Sequence, residues 1–333
     1  MVPWNIRYPL CVPFFMTRRH LLLAVSLLAA LAGGYLFYRV LRRYEFAEVM
    51  RSLESVSIGH LGLALALTAA SFICIAALEG LAVRYAERGR KTISWERIAR
   101  AAVAAIGVGH SLGVAALSSG AIRYRMYRRS GLGLKAIGEI VVFSGISVAL
   151  GLGCVGGLSL LWHGERLAGL LEFSTIGIHA IGAGGLALCA AYICVCAATP
   201  ESVRIVRYRL RLPSWRVAAL QLLFSSLNYI CIAAVLYAAL AGFASAPYPD
   251  VAALFVGSET SALVAHVPGG WGLLEYVFTK SFEGPGVVTG LLLFRAIYYL
   301  LPLFVGLAVW LIDEIAGRRA SRDQDRHIKA QNA

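Results

Sequence analysis

Six stretches of this chain are apolar over lengths that can cross a lipid bilayer. A hydrocarbon core about 30 Å thick needs roughly 20 helical residues, each of which adds about 1.5 Å. Of the 333 residues, 59% are hydrophobic and 15% are charged, whereas soluble domains carry about 25% charged residues. The composition excludes a water-soluble enzyme. The pattern predicts an all-α polytopic membrane protein with spans at 20–38, 59–83, 136–162, 174–198, 217–243 and 287–312.

The net charge of +13 indicates membrane orientation rather than nucleic-acid binding, because the basic residues lie between the apolar stretches. Two further apolar stretches, 101–118 and 251–266, are ambiguous. If all eight stretches crossed the membrane, 15 basic residues would lie on each side. The alternative is that each stretch belongs to a hairpin, 101–132 and 251–282, that enters the membrane and returns on the same side. In that case 24 basic residues lie inside and 6 outside. This bias predicts six spans, two re-entrant hairpins and cytoplasmic termini. Two amphipathic helices on the membrane surface are the alternative.

The elements follow the same order in both halves of the chain, with opposite orientation. Each half has two spans, one hairpin and a further span, and inverted repeats that meet at interrupted helices are a transporter design. Topology alone predicts this repeat, since the halves share no convincing sequence identity. The expected organisation is a cytoplasmic amino terminus over 1–19, one integral membrane domain over 20–316 and a polar cytoplasmic tail over 317–333.

The first hairpin carries small residues, Ser119 and Gly120, at its expected tip. Small residues permit a tight backbone reversal. Arg123 and Arg125 lie nearest this tip, and an arginine at membrane depth is energetically costly unless it is paired or solvated. Both arginines are therefore candidate substrate-binding residues. A purely interfacial basic cluster that binds anionic lipid is the alternative.

The second hairpin has its expected tip at Pro268, Gly269 and Gly270. Pro268 ends the entering helix, and the glycines make the reversal. Glu275 follows five residues after Gly270, and Arg125 occupies the equivalent position after the first tip. If the tips meet, these two charges are expected to pair or to be bridged by a zwitterionic headgroup, since burying either one alone is costly. Glu275 is therefore a candidate substrate-binding residue together with Arg123 and Arg125.

The glycines of the second tip are expected to be needed for their lack of side chains. Valine at Gly269 or Gly270 is expected to damage function far more than valine at Gly157, which lies within an ordinary predicted span.

Other polar residues lie inside the apolar stretches. Glu259 and Arg295 both fall in the expected outer half of the membrane, so a Glu259–Arg295 pair is plausible, either functional or purely structural. The role of Glu79 stays open. Asn228 is expected to hydrogen-bond a neighbouring helix.

Cysteine and histidine patterns indicate no further chemistry. Six cysteines lie in apolar stretches, where cysteine behaves as a small hydrophobic residue. No cluster has metal-ligand spacing. We expect no metal, no cofactor and no catalytic residue.

The two hairpin sequences resemble the paired signatures of a bacterial membrane domain. They read Ser-Gly-Ala-Ile-Arg-Tyr-Arg-x-Tyr-x-x-x-Gly-Leu at 119–132 and His-Val-Pro-Gly-Gly-Trp-Gly-Leu-Leu-Glu at 266–275. The chain is similar, over essentially its whole length, to the transmembrane flippase domain of lysylphosphatidylglycerol synthetases (the multiple peptide resistance factor). In fused members this domain is held to move aminoacylated phosphatidylglycerol between leaflets.

This resemblance implies a lipid translocase of the bacterial inner membrane. Arg123 and Arg125 would belong to the first signature, and Gly269, Gly270 and Glu275 to the second. The fused proteins continue into a soluble transferase domain, whereas this sequence ends in a polar tail, so lysyl transfer is not implied.

The resemblance leaves the lipid open, because stand-alone relatives occur beside varied lipid-pathway genes, including hopanoid and cardiolipin ones. The alternative function is a scaffold or accessory subunit that docks a lipid-biosynthesis enzyme at the cytoplasmic face through loops 84–100 and 199–216. A lipid headgroup-modifying enzyme is less favoured.

Overall fold

A computed structural model describes residues 38, 51, 54, 56–88, 93–111, 115–170, 172–198, 202–205, 208–265, 267 and 270–331. Helices dominate this part of the chain. They are α1 (Ile58–Glu87), α2 (Trp95–Ser111), α3 (Ala115–Arg128), α4 (Leu134–Gly151), α5 (Gly157–His163), α6 (Glu165–Leu170), α7 (Thr175–Ala198), α8 (Trp215–Leu240), α9 (Tyr248–Val264), α10 (Leu273–Ser281), α11 (Pro285–Arg295) and α12 (Leu301–Gln331). Two π-helical segments, Leu152–Gly156 and Ala296–Leu300, join α4 to α5 and α11 to α12.

Five helical stretches within the described residues are long and apolar enough to cross a membrane. They are Ile58–Glu87, Leu134–His163, Thr175–Ala198, Trp215–Leu240 and Gly286–Gly317. These helices overlap the last five predicted spans. The first predicted span, 20–38, lies outside the described residues except for Tyr38. The expected polar tail continues the last helix as far as Gln331.

The connection between α7 and α8 departs from the all-helical prediction. Strands β1 (Ser202–Ile205) and β2 (Tyr208–Arg211) pair antiparallel. Apolar and basic residues alternate here, and a period of two is typical of strands. The Tyr85 hydroxyl donates to the Arg211 carbonyl at 2.6 Å. This β-hairpin therefore lies at the Glu87 end of the helix bundle, just before the start of α8.

Helices α2 and α3 form an antiparallel pair whose outer ends meet. Arg97 Nη1 donates to Ser130 Oγ at 2.9 Å, so the pair starts and finishes at the Glu87 end. The predicted reversal at Ser119 and Gly120 is wrong, because both residues lie inside α3. Helix α2 ends at Ser111 and α3 already begins at Ala115, before the two predicted tip residues. Alanine and leucine at the start of α3 are strong helix formers, which favours an earlier helix start than the small residues suggested.

Helices α9 and α10 form a second pair at the opposite end of the bundle, which we call the His163 end. There His163 Nδ1 lies 3.0 Å from Asp250 Oδ1 at the start of α9. The chain reverses through Gly270 and Gly272, whose φ angles of +61° and +81° favour glycine. Pro268 and Gly269 lie outside the described residues.

Glycines bring several helices into close contact. A Cβ atom at Gly157 would lie 2.7 Å from the Gly182 carbonyl oxygen, and one at Gly185 would lie 3.0 Å from the Gly153 carbonyl oxygen. Small residues allow such close backbone approach between membrane helices. The expectation that Gly157 is an ordinary, tolerant position is therefore wrong, since α5 packs directly on α7 there.

Candidate functional site

Arg295, the last residue of α11, holds the reversal between α9 and α10. Its Nε donates to Glu275 Oε1 at 2.8 Å, and its Nη2 donates to the Gly270 carbonyl at 3.0 Å. Both charged side chains are 2% exposed. Glu275 is also fixed locally, because the backbone N–H of Gly272 donates to its Oε2 at 2.8 Å and caps the start of α10. A single guanidinium thus joins the last span to the turn.

Two aromatic rings enclose the Arg295 guanidinium. Its central carbon lies 4.8 Å from the ring centroid of Trp271 and 4.6 Å from that of Tyr299. A cation over an aromatic face is attracted by the ring quadrupole, and more strongly when water is excluded. The two rings therefore hold the guanidinium from its faces, in addition to the ion pair with Glu275.

The π-helical segment after Arg295 places two consecutive tyrosines in the protein interior. Tyr298 and Tyr299 are 3% and 7% exposed. One extra residue in a helical turn changes which side chains face inward, and such bulges occur frequently at functional sites. The Tyr299 hydroxyl donates to Glu259 Oε1 at 3.3 Å, and the Tyr298 hydroxyl lies 3.0 Å from Ser71 Oγ.

Glu259 and Arg295 lie in one cluster, although the direct ion pair that Arg295 forms is with Glu275. Glu259 joins through the Tyr299 hydroxyl and through its electrostatic interaction with the guanidinium. The expected direct ion pair between Glu259 and Arg295 is therefore wrong. The Nε and Nη2 groups of Arg295 donate instead to Glu275 and to the Gly270 carbonyl in the turn. We call these residues the Arg295 cluster: Gly270, Trp271, Glu275, Glu259, Arg295 and Tyr299.

A second buried cluster joins α1 to α3. Arg123 Nε donates to Glu79 Oε1 at 2.9 Å, and Nη2 donates to Oε2 at 2.7 Å. The Tyr127 hydroxyl donates to the same carboxylate at 2.9 Å. Arg123 and Tyr127 are four residues apart and share one face of α3. We call Glu79, Arg123 and Tyr127 the Arg123 cluster, and it answers the question that the sequence left open for Glu79.

Arg125 does not meet Glu275, so the expected pair between the hairpin tips is wrong. Arg125 lies two positions after Arg123, on the opposite side of α3, and its side chain is 53% exposed. Its Nη2 and Nε donate to Glu314 of α12 at 2.6 and 2.8 Å. Arg129 donates to the same carboxylate at 2.7 Å. These contacts fasten α3 to the last helix at the Glu87 end.

Ser71 of α1 lies between the two clusters. It is fully buried, and its hydroxyl donates to Asn228 Oδ1 of α8 at 2.7 Å. The expected hydrogen bond between Asn228 and a neighbouring helix is thus confirmed. Ser71 also contacts Tyr298, next to the Arg295 cluster, and lies about 12 Å along α1 from Glu79. Ser71 therefore links α1 to α8 and to Tyr298 beside the Arg295 cluster.

Sequence reasoning missed several of these residues. Ser71, Trp271, Tyr298 and Glu314 carry no strong signal, because serine and aromatic residues are common in membrane helices and a charge at a helix end is usually solvated. The adjacent tyrosines after an intramembrane arginine were the available clue. Among the described residues, no group of His, Cys, Asp and Glu side chains is arranged to hold a metal ion.

Comparison with known proteins gives a family and two relatives. The family described as the lysylphosphatidylglycerol synthase TM region matches residues 22–306. Uncharacterized protein slr0712 of Synechocystis sp. is 24% identical over 267 residues, which cover 79% of this chain and 82% of that protein. Inner membrane protein YbhN of Escherichia coli is 29% identical over 204 residues, which cover 60% of this chain and 64% of YbhN.

The family match includes both buried arginine clusters and the helices that position them. It covers most of the chain, from the region before α1 to the start of α12. The chain belongs to the lysylphosphatidylglycerol synthase transmembrane-region family of membrane proteins.

Proposed function

We propose that this protein is a lipid translocase of the bacterial inner membrane, in which Arg295 binds the phosphate of a lipid headgroup while the acyl chains stay in the bilayer. The observation that carries the proposal is the set of bonds that Arg295 makes to Gly270 and Glu275. A phosphate offers oxygens that suit the forked guanidinium equally well. A phosphate that took over these bonds would release the turn.

The depth of Arg295 supports this role. It is the final residue of the 11-residue helix α11, so it lies about 15 Å from the start of that helix. This distance is about half the thickness of a hydrocarbon core. An ionisable residue at such depth points to a substrate path by default. A headgroup that crosses the bilayer needs a polar partner at this level.

The two helix pairs support a re-entrant, inverted arrangement. The α2–α3 pair opens at the Glu87 end and the α9–α10 pair opens at the His163 end. Each contributes one member of a buried ion pair to a spanning helix, with the charges exchanged: Arg123 of the first pairs with Glu79, and Glu275 of the second pairs with Arg295. We infer that alternate release of the two helix pairs opens the site to one leaflet and then to the other.

Orientation follows from charge. The described residues of the basic segments 84–100, 119–135 and 199–216 lie towards the Glu87 end. The positive-inside rule supports a cytoplasmic location for this end. The lipid would therefore exchange with the cytoplasmic leaflet near the Arg123 cluster and with the outer leaflet near α9 and α10.

The test is lipid movement in vesicles that contain the purified protein. Vesicles of phosphatidylethanolamine and phosphatidylglycerol carry a trace of fluorescent phosphatidylglycerol, and dithionite destroys the fluorescence of the outer leaflet only. We expect the protein to expose inner-leaflet label that protein-free vesicles protect. Protection equal to that of protein-free vesicles, with correctly inserted protein and several headgroups tried, would contradict the proposal.

A matched pair of glycine variants tests the reversal. Gly270→Ala places a Cβ at φ +61° and 3.5 Å from Glu259 Oε1, whereas Gly131→Ala has φ +86° and open space. Each substitution costs about 1–2 kcal/mol of backbone strain, so the difference between them isolates the site. We expect Gly270→Ala to slow lipid movement much more. Equal rates in the two variants would remove the turn from the mechanism.

A further inference from the structure

We propose that Glu259 takes up a proton when a lipid phosphate binds Arg295, so that lipid and proton cross the membrane together. This inference rests on the translocase function proposed above and adds its coupling ion. It follows from the charges, contacts and water access of the Arg295 cluster.

The Arg295 cluster contains one cation and two carboxyl groups. Glu275 accepts hydrogen bonds from the Arg295 guanidinium and from the Gly272 backbone N–H. Glu259 accepts from the hydroxyl of Tyr299 at 3.3 Å. A neutral hydroxyl does not balance a charge, so the cluster has a net charge of about −1 when both carboxyls are ionised.

A bound phosphate adds a further negative charge at this depth. An uncompensated charge in a low-dielectric interior is costly, and neutralisation by a proton is the usual relief. Glu275 still accepts the hydrogen bond from the Gly272 N–H when the phosphate displaces it from Arg295. Glu259 has no such backbone donor among its described contacts. The proton therefore goes to Glu259.

The other described groups that interact electrostatically with Glu259 do not supply a second cation. They are Arg295 on α11, Glu275 on α10, Tyr229 on α8, and Tyr298 and Tyr299 on the π-helical segment. Three of these five are phenols, which are neutral at ordinary pH. The charge balance of the site is thus decided by Arg295 and the two carboxyls.

The proposal requires that protons reach Glu259, and the position of this residue fits that requirement. It is partly exposed, and the next two residues of α9, Thr260 and Ser261, are exposed. Polar side chains at membrane depth face a water-filled cavity or protein rather than lipid. A Cβ at Gly270 would lie 3.5 Å from Glu259 Oε1, so the carboxyl lies against the turn that Arg295 holds. Protonation and release of the turn therefore take place at the same contact.

The coupling has a definite sign. Binding of the phosphate favours the protonated carboxyl, so by reciprocity a lower pH favours lipid binding. With about one proton per lipid, a difference of one pH unit between the two sides can support at most a tenfold lipid ratio. Lipid is expected to move from the acidic side to the alkaline side.

The first experiment measures proton uptake without transport. Dihexanoylphosphatidylglycerol, which has one phosphate and no cation, is added to detergent-solubilised protein in weak buffer with a pH-indicator dye. We expect about one proton per bound lipid for the wild type and for Glu283→Gln, a control at an exposed loop carboxyl. Glu259→Gln should bind lipid with almost no uptake. Equal uptake in Glu259→Gln, or lipid binding without uptake in the wild type, would overturn the inference.

The second experiment imposes a pH gradient across the protein-containing vesicles. We expect the wild type to accumulate fluorescent phosphatidylglycerol in the leaflet that faces the alkaline side, and Glu259→Gln to ignore the gradient at whatever rate it moves lipid. Lipid movement that the gradient does not bias would overturn the coupling and leave the translocase standing. Absence of lipid movement with or without the gradient would contradict the translocase itself, and with it this inference.

Discussion

Arg123 and Glu79 form a forked ion pair between α3 and α1, with side chains that are 3% and 2% exposed. Two guanidinium nitrogens contact the two carboxylate oxygens, at 2.9 and 2.7 Å. The pair parallels that of Arg295 and Glu275, since in each case a helix-pair residue is bonded to a spanning helix. Buried pairs of this kind favour one arrangement of the helices, because separating the two charges would leave each of them buried without its ion-pair partner.

Removing one member of the Arg123 cluster should strongly destabilise the protein. Arg123→Gln leaves the Glu79 carboxylate buried with Tyr127, and loss of one partner of a buried pair costs about 3–5 kcal/mol. We expect lower abundance and a lower melting temperature in detergent. The double variant Arg123→Gln with Glu79→Gln should recover much of both, since neither charge remains. Arg128→Gln, an exposed position on the same helix, is the control. Purely additive losses in the double variant would contradict the pairing.

Arg125 should couple energetically to Glu314 and not to Glu275. Arg125→Gln and Glu314→Gln remove the same 2.6 Å contact, so their effects on the melting temperature should not add. Arg125→Gln and Glu275→Gln share no contact, so their effects should add. High salt should reduce the first coupling, because Arg125 is half exposed. Strong energetic coupling between Arg125 and Glu275 would contradict this prediction and would support an arrangement in which the two hairpin tips meet.

Substitution of Gly157 by valine should destabilise the protein as much as substitution of a glycine in a turn. Gly157→Val would place side-chain atoms against the Gly182 carbonyl and the Leu186 side chain. Overpacking of this kind typically costs about 1–3 kcal/mol. Gly145→Val is the matched control, since a Cβ there meets nothing within 4 Å. Thermal unfolding followed by size-exclusion chromatography should separate the two variants, and equal stability would show that α5 and α7 can part without cost.

Accessibility in intact cells tests the orientation. In a cysteine-free background, Lys135→Cys should resist a membrane-impermeant thiol reagent, because it follows Ser130, which contacts Arg97 at the Glu87 end. Glu283→Cys, between α10 and α11, should react. Both positions are exposed, so burial does not explain a difference. Labelling of Lys135→Cys from outside would reject the topology of six spans with two re-entrant hairpins.

The sequence by itself determined the membrane-spanning helices of the described region. A stretch of about 20 apolar residues is stabilised by the bilayer around it, and its backbone hydrogen bonds are satisfied within the helix. Such a helix can therefore be predicted without knowing which other helices pack against it. Intramembrane charge likewise marked Arg123 and Arg295 as candidates, because a cation in an apolar stretch needs a partner or water whichever helix carries it.

Only the tertiary structure decided which charges meet. The partner of Arg123 is 44 residues away and that of Arg125 is 189 residues away, on helices whose packing no local pattern reports. The side of α3 on which each arginine lies depends on where that helix begins, and a shift of two residues on a helix moves a side chain to the opposite face. The π-helical segment after Arg295 turned Tyr298 and Tyr299 inward by the same kind of rotation, and the glycine contact at Gly157 exists only because α7 packs there.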